Sequence, residues 1–231
     1  QGTLTANAGA SLYFGYYSGE AITNAAGGTI TTNGGTLYLG SPLSNSGLIN
    51  VQTGTLYTNN FLTNAATGVI QGAGTISGNV TVAGGTIAPG NSIGTLTFSN
   101  GAFIVNGSAN LTMELGGASA DKITFQNPTA TVDIGSGLLS LSLTLLSAPT
   151  FGTTYDLIHI SSGSYGIAGT FAGLPVSGNT LSATYLGTPY FFSVNYLLND
   201  ITLVAVPEPP VYALWGVGLA LLVFFRRRAR C

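Results

Sequence analysis

Charge is what this chain has least of. Lysine and arginine number five and aspartate and glutamate seven among 231 residues, 5% together, against roughly 25% in an ordinary soluble domain. The shortage is uneven. Four of the five cations are Arg226, Arg227, Arg228 and Arg230, and Lys122 is the only cation before residue 206. It faces Glu20, Glu114, Asp121, Asp133, Asp156 and Asp200. A body without arginine cannot neutralise phosphates, so nucleic acid is excluded as an expected partner. Cysteine is confined to Cys231. No disulfide can form within the chain, and sparing use of thiols suits an oxidising envelope. Histidine is confined to His159. With no His/Cys cluster and no Asp-rich loop, no metal and no cofactor are expected.

The chain is instead rich in glycine, with 34 residues, about twice the usual share of roughly 7%. The apolar fraction of 45% is enough for a core. Helix formers are nearly absent before residue 205. Many short strands joined by tight turns follow from this composition.

Two markers repeat along the body. One is Ile22-Thr23-Asn24, Leu43-Ser44-Asn45 and Leu62-Thr63-Asn64. The other is Gly35-Thr36-Leu37, Gly54-Thr55-Leu56, Gly74-Thr75-Ile76 and Gly94-Thr95-Leu96. Both keep a period of about twenty residues, the signature of stacked supersecondary units. Leu37, Leu56, Ile76 and Leu96 should form one inward column, and Asn24, Asn45 and Asn64 a column at a turn. Gly27, Gly47 and Gly68 are expected to supply positive φ beside it. Tyr13, Tyr38 and Tyr57 each follow a column leucine, so they should stack on the outer face. Such a strip offers either an uncharged surface for sugar rings or a cross-strand ladder that holds the stack together. From about residue 120 the period fades. Leu139 to Leu145, Tyr155 to Ile160, Tyr190 to Tyr196 and Asn199 to Val204 still read as strands.

Two stretches resemble autotransporter passenger domains. Gly85 to Leu96 is similar to their recurring turn, and Tyr196 to Leu203 to their final strand. The resemblance implies an all-β chain built as a right-handed parallel β-helix, a solenoid of about 20 residues per coil. The expected layout is a repeat β-solenoid over 1–120 and terminal coils or a small β-sandwich cap over 121–205. A tail over 206–231 completes it.

That tail reads Val-Pro-Glu-Pro-Pro, then Val211 to Phe225 without a charge, then Arg226-Arg227-Arg228-Ala229-Arg230-Cys231. The prolines end the body, because they lack backbone donors and block helix formation. The apolar run predicts a single helix over 211–225, about 22 Å long at ~1.5 Å per residue and short of the ~30 Å hydrocarbon core. Snorkelling arginines and local thinning would cover the difference. The arginines should act as a membrane stop and stay cytoplasmic. This arrangement closely resembles the PEP-CTERM sorting signal of Gram-negative bacteria. The resemblance implies that Pro207, Glu208 and Pro209 are recognised by an exosortase, a membrane protease-transpeptidase. The product would pass through the inner membrane to the cell surface or the exopolysaccharide matrix. The chain opens at Gln1 with no secretory leader in view, so a signal peptide is expected upstream.

Candidate chemistry is thin. A lyase needs a base and cations for an enolate-like charge, and Lys122 stands alone. A glycosidase needs two close carboxylates; Asp121 with Asp133 is the nearest pair that could face each other across coils, but the two are expected to be solvated turn residues. His159 with Asp156 and a serine would imitate a triad, but no nucleophile elbow accompanies them. His159 is expected on one strand face with Tyr155 and Leu157, as a structural residue. The leading expectation is therefore a non-catalytic, exported structural or adhesive protein of the cell surface or exopolysaccharide. The alternatives are a β-helix polysaccharide lyase or hydrolase and a passenger-like adhesin held permanently by its C-terminal helix.

Overall fold

The computed structural model describes residues 2–15 and 20–208. They form twenty strands in one continuous sheet. The first nine are β1 (Thr3–Asn7), β2 (Ser11–Phe14), β3 (Ile22–Asn24), β4 (Thr29–Leu39), β5 (Leu43–Asn45), β6 (Leu48–Asn64), β7 (Val69–Gly72), β8 (Thr75–Val82) and β9 (Gly85–Pro89). Then come β10 (Thr95–Ser99), β11 (Phe103–Val105), β12 (Ala109–Gly116), β13 (Ser119–Ala120), β14 (Lys122–Gln126) and β15 (Val132–Leu145). The last five are β16 (Thr154–Ser162), β17 (Ile167–Phe171), β18 (Thr180–Tyr185), β19 (Thr188–Tyr196) and β20 (Asp200–Val206).

Parallel pairings close on themselves. One wall runs β6–β8–β11–β15 and the other β6–β7–β9–β12–β15. The long strands β6 and β15 belong to both walls, and so complete a closed seven-stranded parallel barrel with further sheet around it. This corrects the expectation of an open right-handed β-helix of the passenger type. The physical reason lies in those two strands: each is long enough to pair in one wall over part of its length and in the other over the rest, β6 through 48–50 and 55–64 and β15 through Asp133 and 139–145. Among the described residues there is no helix, and none is long and apolar enough to cross a membrane. The helix expected over 211–225 lies outside the described residues.

Inward columns fill the interior. Ile30, Ile49, Ile70, Ile87 and Leu111 follow one another in register, and all are buried. Leu37, Leu56 and Ile76 do the same, but the next member is Phe98, not Leu96. The register of β10 on β8 is displaced by two residues from the repeated motif, because Thr97 rather than Thr95 pairs with Thr75. A shift of two keeps every side chain on its original face. Leu96 is therefore still fully buried, pairing with Ile123, and Phe98 packs its ring against Phe103 and Phe125.

The asparagine column is a buried hydrogen-bond ladder. Asn24 Nδ2 donates to Asn45 Oδ1 at 2.7 Å, and Asn45 Nδ2 to Asn64 Oδ1 at 2.7 Å. Asn64 Nδ2 ends the run on the carbonyls of Gly84 and Gly68, at 2.8 and 3.1 Å. Of the neighbouring glycines, only Gly27 has positive φ, at 81°. Gly68 is required by space instead: a Cβ there would land on the Asn45 carbonyl and the Asn64 amide oxygen. The ladder leaves no room for a side chain beside it.

The C-terminal part closes with antiparallel pairs. β16 pairs with β20, β20 with β19, and β19 with β18. The expected final strand from Tyr196 to Leu203 is divided, since Tyr196 ends β19 and Asp200 begins β20.

Replacing Asn45 with alanine removes both the acceptor of Asn24 and the donor to Asn64 inside the core. The expected loss is about 1–3 kcal/mol in denaturant unfolding. The same change at exposed Asn106 should cost under about 0.5 kcal/mol.

Candidate functional site: a tyrosine column beside a stepped corner

Tyr13, Tyr38 and Tyr57 lie in register on the outer face of β2, β4 and β6. Their rings stack with centroids 4.5 and 4.8 Å apart and 5° between planes in each pair. Stacked in this way, the rings turn their faces to one another. The strip shows solvent its edges and hydroxyls, and Tyr57 remains 39% exposed. Loss of hydration between its neighbours raises the Tyr38 hydroxyl above the ordinary tyrosine range, and charge repulsion from Tyr13 and Tyr57 adds to this.

The column continues to Ser77 on β8 and then to Ser99 on β10. The stack of rings thus ends at Tyr57. A second change occurs at the same level. Residues 58–61 connect Tyr57 to Leu62, whereas only residues 78–79 connect their partners Ser77 and Val80. The longer corner overhangs the shorter one as a step. Gly78 makes the tight inner corner at φ 125°, and a Cβ there would strike the Thr58 carbonyl. The step leaves a groove of about 380 Å³ along the flank of Tyr38 and Tyr57. It runs over Thr58 and Asn59 to Ser77, Gly78 and Asn100, and among the described residues none that lines it is charged. Asn100 Nδ2 donates to Ser77 Oγ at 3.4 Å.

The other candidate residues are dispersed. Asp121 and Asp133 do not share a site. Asp133 accepts from the Gly135 amide at 2.8 Å. Asp121 is almost fully buried and accepts from the amides of Gly94 at 2.9 Å and Glu114 at 2.7 Å, tying the junction of β13 and β14 to β12 and to the residue before β10. His159 bonds Asp200 through Nδ1 at 2.5 Å, while Asp156 lies 3.7 Å from Lys122. The imagined partnership of His159 with Asp156 is therefore replaced by two separate pairs. An irregularity between Asp156 and Ile158 moves His159 off the face of Tyr155 and Leu157 where it was expected. It buries Leu157 and Ile158 in succession and leaves His159 half-buried, not alternating simply with Tyr155. Asp200 was not recognisable as the partner, since nothing local in the sequence marks antiparallel pairing of β20 with β16. Among the described residues no group of three or more His, Cys, Asp or Glu is arranged to hold a metal.

Of the tail residues, Pro207 and Glu208 are exposed just beyond β20. Pro209 and the stop residues Arg226, Arg227, Arg228 and Arg230 lie outside the described residues. No protein-family model matches the chain, and no curated protein matches it. The chain is accordingly assigned neither to the passenger-like proteins nor to the PEP-CTERM proteins that its segments resemble.

Burial raises the Asp121 carboxyl to about 6 from an ordinary 3.8, against the pull of its two amide donors. The folded state then holds this proton more tightly than the unfolded chain. The resulting penalty is absent below pH 3.8, grows between 3.8 and about 6, and is fully present above that. Stability should therefore fall by roughly 2–3 kcal/mol across the window from this group. From pH 4 to pH 7 the change in stability should be more favourable by about that amount in Asp121→Asn than in the parent, whatever the variant's absolute stability.

Proposed function

We propose that the chain is a non-catalytic binding domain for an uncharged polysaccharide. The observation that supports this is the coincidence of the tyrosine column with a neutral, amide- and hydroxyl-lined groove on a surface almost free of charge. Aromatic rings contact the C–H faces of sugars, and amides and hydroxyls meet their hydroxyl groups, without the desolvation cost of an ion. The leading expectation of a matrix-associated structural or adhesive protein sorted by its tail, and its alternatives of a β-helix lyase or hydrolase and a permanently anchored passenger-like adhesin, are overturned by the closed parallel barrel.

The reading also places the chain outside the cytoplasm. Supporting this are its scarcity of thiols and the order of residues 207–230: prolines, an uncharged apolar run, then arginines. An exosortase-type protease and the inner membrane are the proposed partners of that segment. The mass of the mature C-terminus tests this: an end near Pro207–Pro210 is expected, and a chain still ending at Cys231 overturns it.

Binding itself is tested by affinity electrophoresis through gels containing a soluble neutral glucan or mannan. The parent should be retarded, and Tyr38→Ser/Tyr57→Ser should lose at least tenfold in affinity while keeping its melting profile within a few degrees. Equal retardation of the folded variant contradicts the proposal.

A further inference from the structure

The tyrosine column stops one ring short of the groove it borders. Tyr38 covers one face of Tyr57. On the other side, the next position in register is Ser77, whose side chain is too short to reach the level of the ring. The sheet still provides the spacing of another layer there, since the ladder continues from β6 to β8 and from β8 to β10. Above Ser77 the space is bounded by the overhanging corner at Thr58 and Asn59 and by Asn100.

We infer that this place is a binding position for one six-membered sugar ring, which stacks on the free side of Tyr57 as the fourth ring of the column. The inference rests on the polysaccharide reading above and names its central subsite. Spacing fits first. Rings already repeat at 4.5 and 4.8 Å along the column, and ring-on-ring contact is favourable over about 4.5–7 Å between centroids. Chemistry then separates a sugar from an aromatic side chain of another protein. The perimeter carries the amides of Asn59 and Asn100 and the hydroxyl of Ser77. A pyranose presents hydroxyls around its edge that can satisfy these groups. A phenyl ring offers nothing to the Asn59 amide or to the remaining hydrogen-bonding capacity of Asn100 and Ser77, which bond each other, and desolvating such groups costs roughly 1–3 kcal/mol each. Charge narrows the class further: among the described residues no cation lines the groove, so they offer an acidic sugar no counter-ion.

The position is geometrically separable from the rest of the strip, which allows a decisive variant. Ser77→Tyr extends the protein's own column into the space, and Asn59→Arg fills it from the exposed rim of the overhang. Both leave Tyr13, Tyr38 and Tyr57 in place. Calorimetric titration with cellohexaose and mannohexaose is the measurement, with hexagalacturonate and p-cresol as comparison probes. Binding of at least one neutral hexasaccharide by the parent is expected, with a loss of about tenfold or more in Ser77→Tyr or Asn59→Arg, provided each variant melts like the parent. If the parent binds and both folded variants bind equally well, the fourth-ring position is wrong while the polysaccharide reading stands. If neither hexasaccharide binds, and neutral glucan and mannan do not retard the parent, both fall. Binding of p-cresol alone would overturn the sugar assignment in favour of a protein side chain, and preference for hexagalacturonate would overturn the neutral class. Should Ser77→Tyr fail to fold, Asn59→Arg at the exposed rim gives the same discrimination.

Discussion

The parallel pairing of the N-terminal strands depends on one register, and the asparagine ladder across β3, β5 and β6 is the interaction that enforces it there. A buried amide needs both a donor and an acceptor partner. Asn45 finds them only if Asn24 lies in the layer on one side and Asn64 in the layer on the other. A slip of one residue would turn the amides outward and the isoleucine and leucine columns with them. Polar pairing thus selects the register, and apolar burial along the columns stabilises it.

Identical registration has a consequence on the outside. Where three successive layers carry tyrosine, the rings must meet face to face at the spacing of the sheet. The strip is therefore first an element of the stack. Its recognition value arises where repetition fails, at the layer of Ser77 and Gly78. There a ring is missing and the corner is shortened, so a regular surface acquires a groove.

The sequence made much of this legible. The asparagine and leucine columns could be read because short motifs recur with an average period, and the strands expected over 139–145, 155–160 and 190–196 fall within β15, β16 and β19 because strand patterning is local. The step at 58–61 against 78–79 was hidden, since a corner shortened by two residues hardly alters a period near twenty. The shift that pairs Ile76 with Phe98 was hidden for a related reason: two residues restore the same face. Closure of the two walls through β6 and β15 depends on where long strands bend, which no motif records. Gly68 looked like a turn glycine, but it is held by crowding from a neighbouring layer. His159 lost its expected face to an irregularity, and gained Asp200 through a pairing between strands 41 residues apart.

Function in this molecule depends on the end of the tyrosine column being a ligand-binding place. Nitrogen- and carbon-edited NMR spectra of the isotope-labelled chain, titrated with the better-binding of the two neutral hexasaccharides, address this most directly. The predicted result is a set of perturbed resonances centred on Tyr57, Asn59, Ser77, Gly78 and Asn100, with the asparagine ladder undisturbed. Perturbations centred on another surface, or none at millimolar ligand, would contradict it.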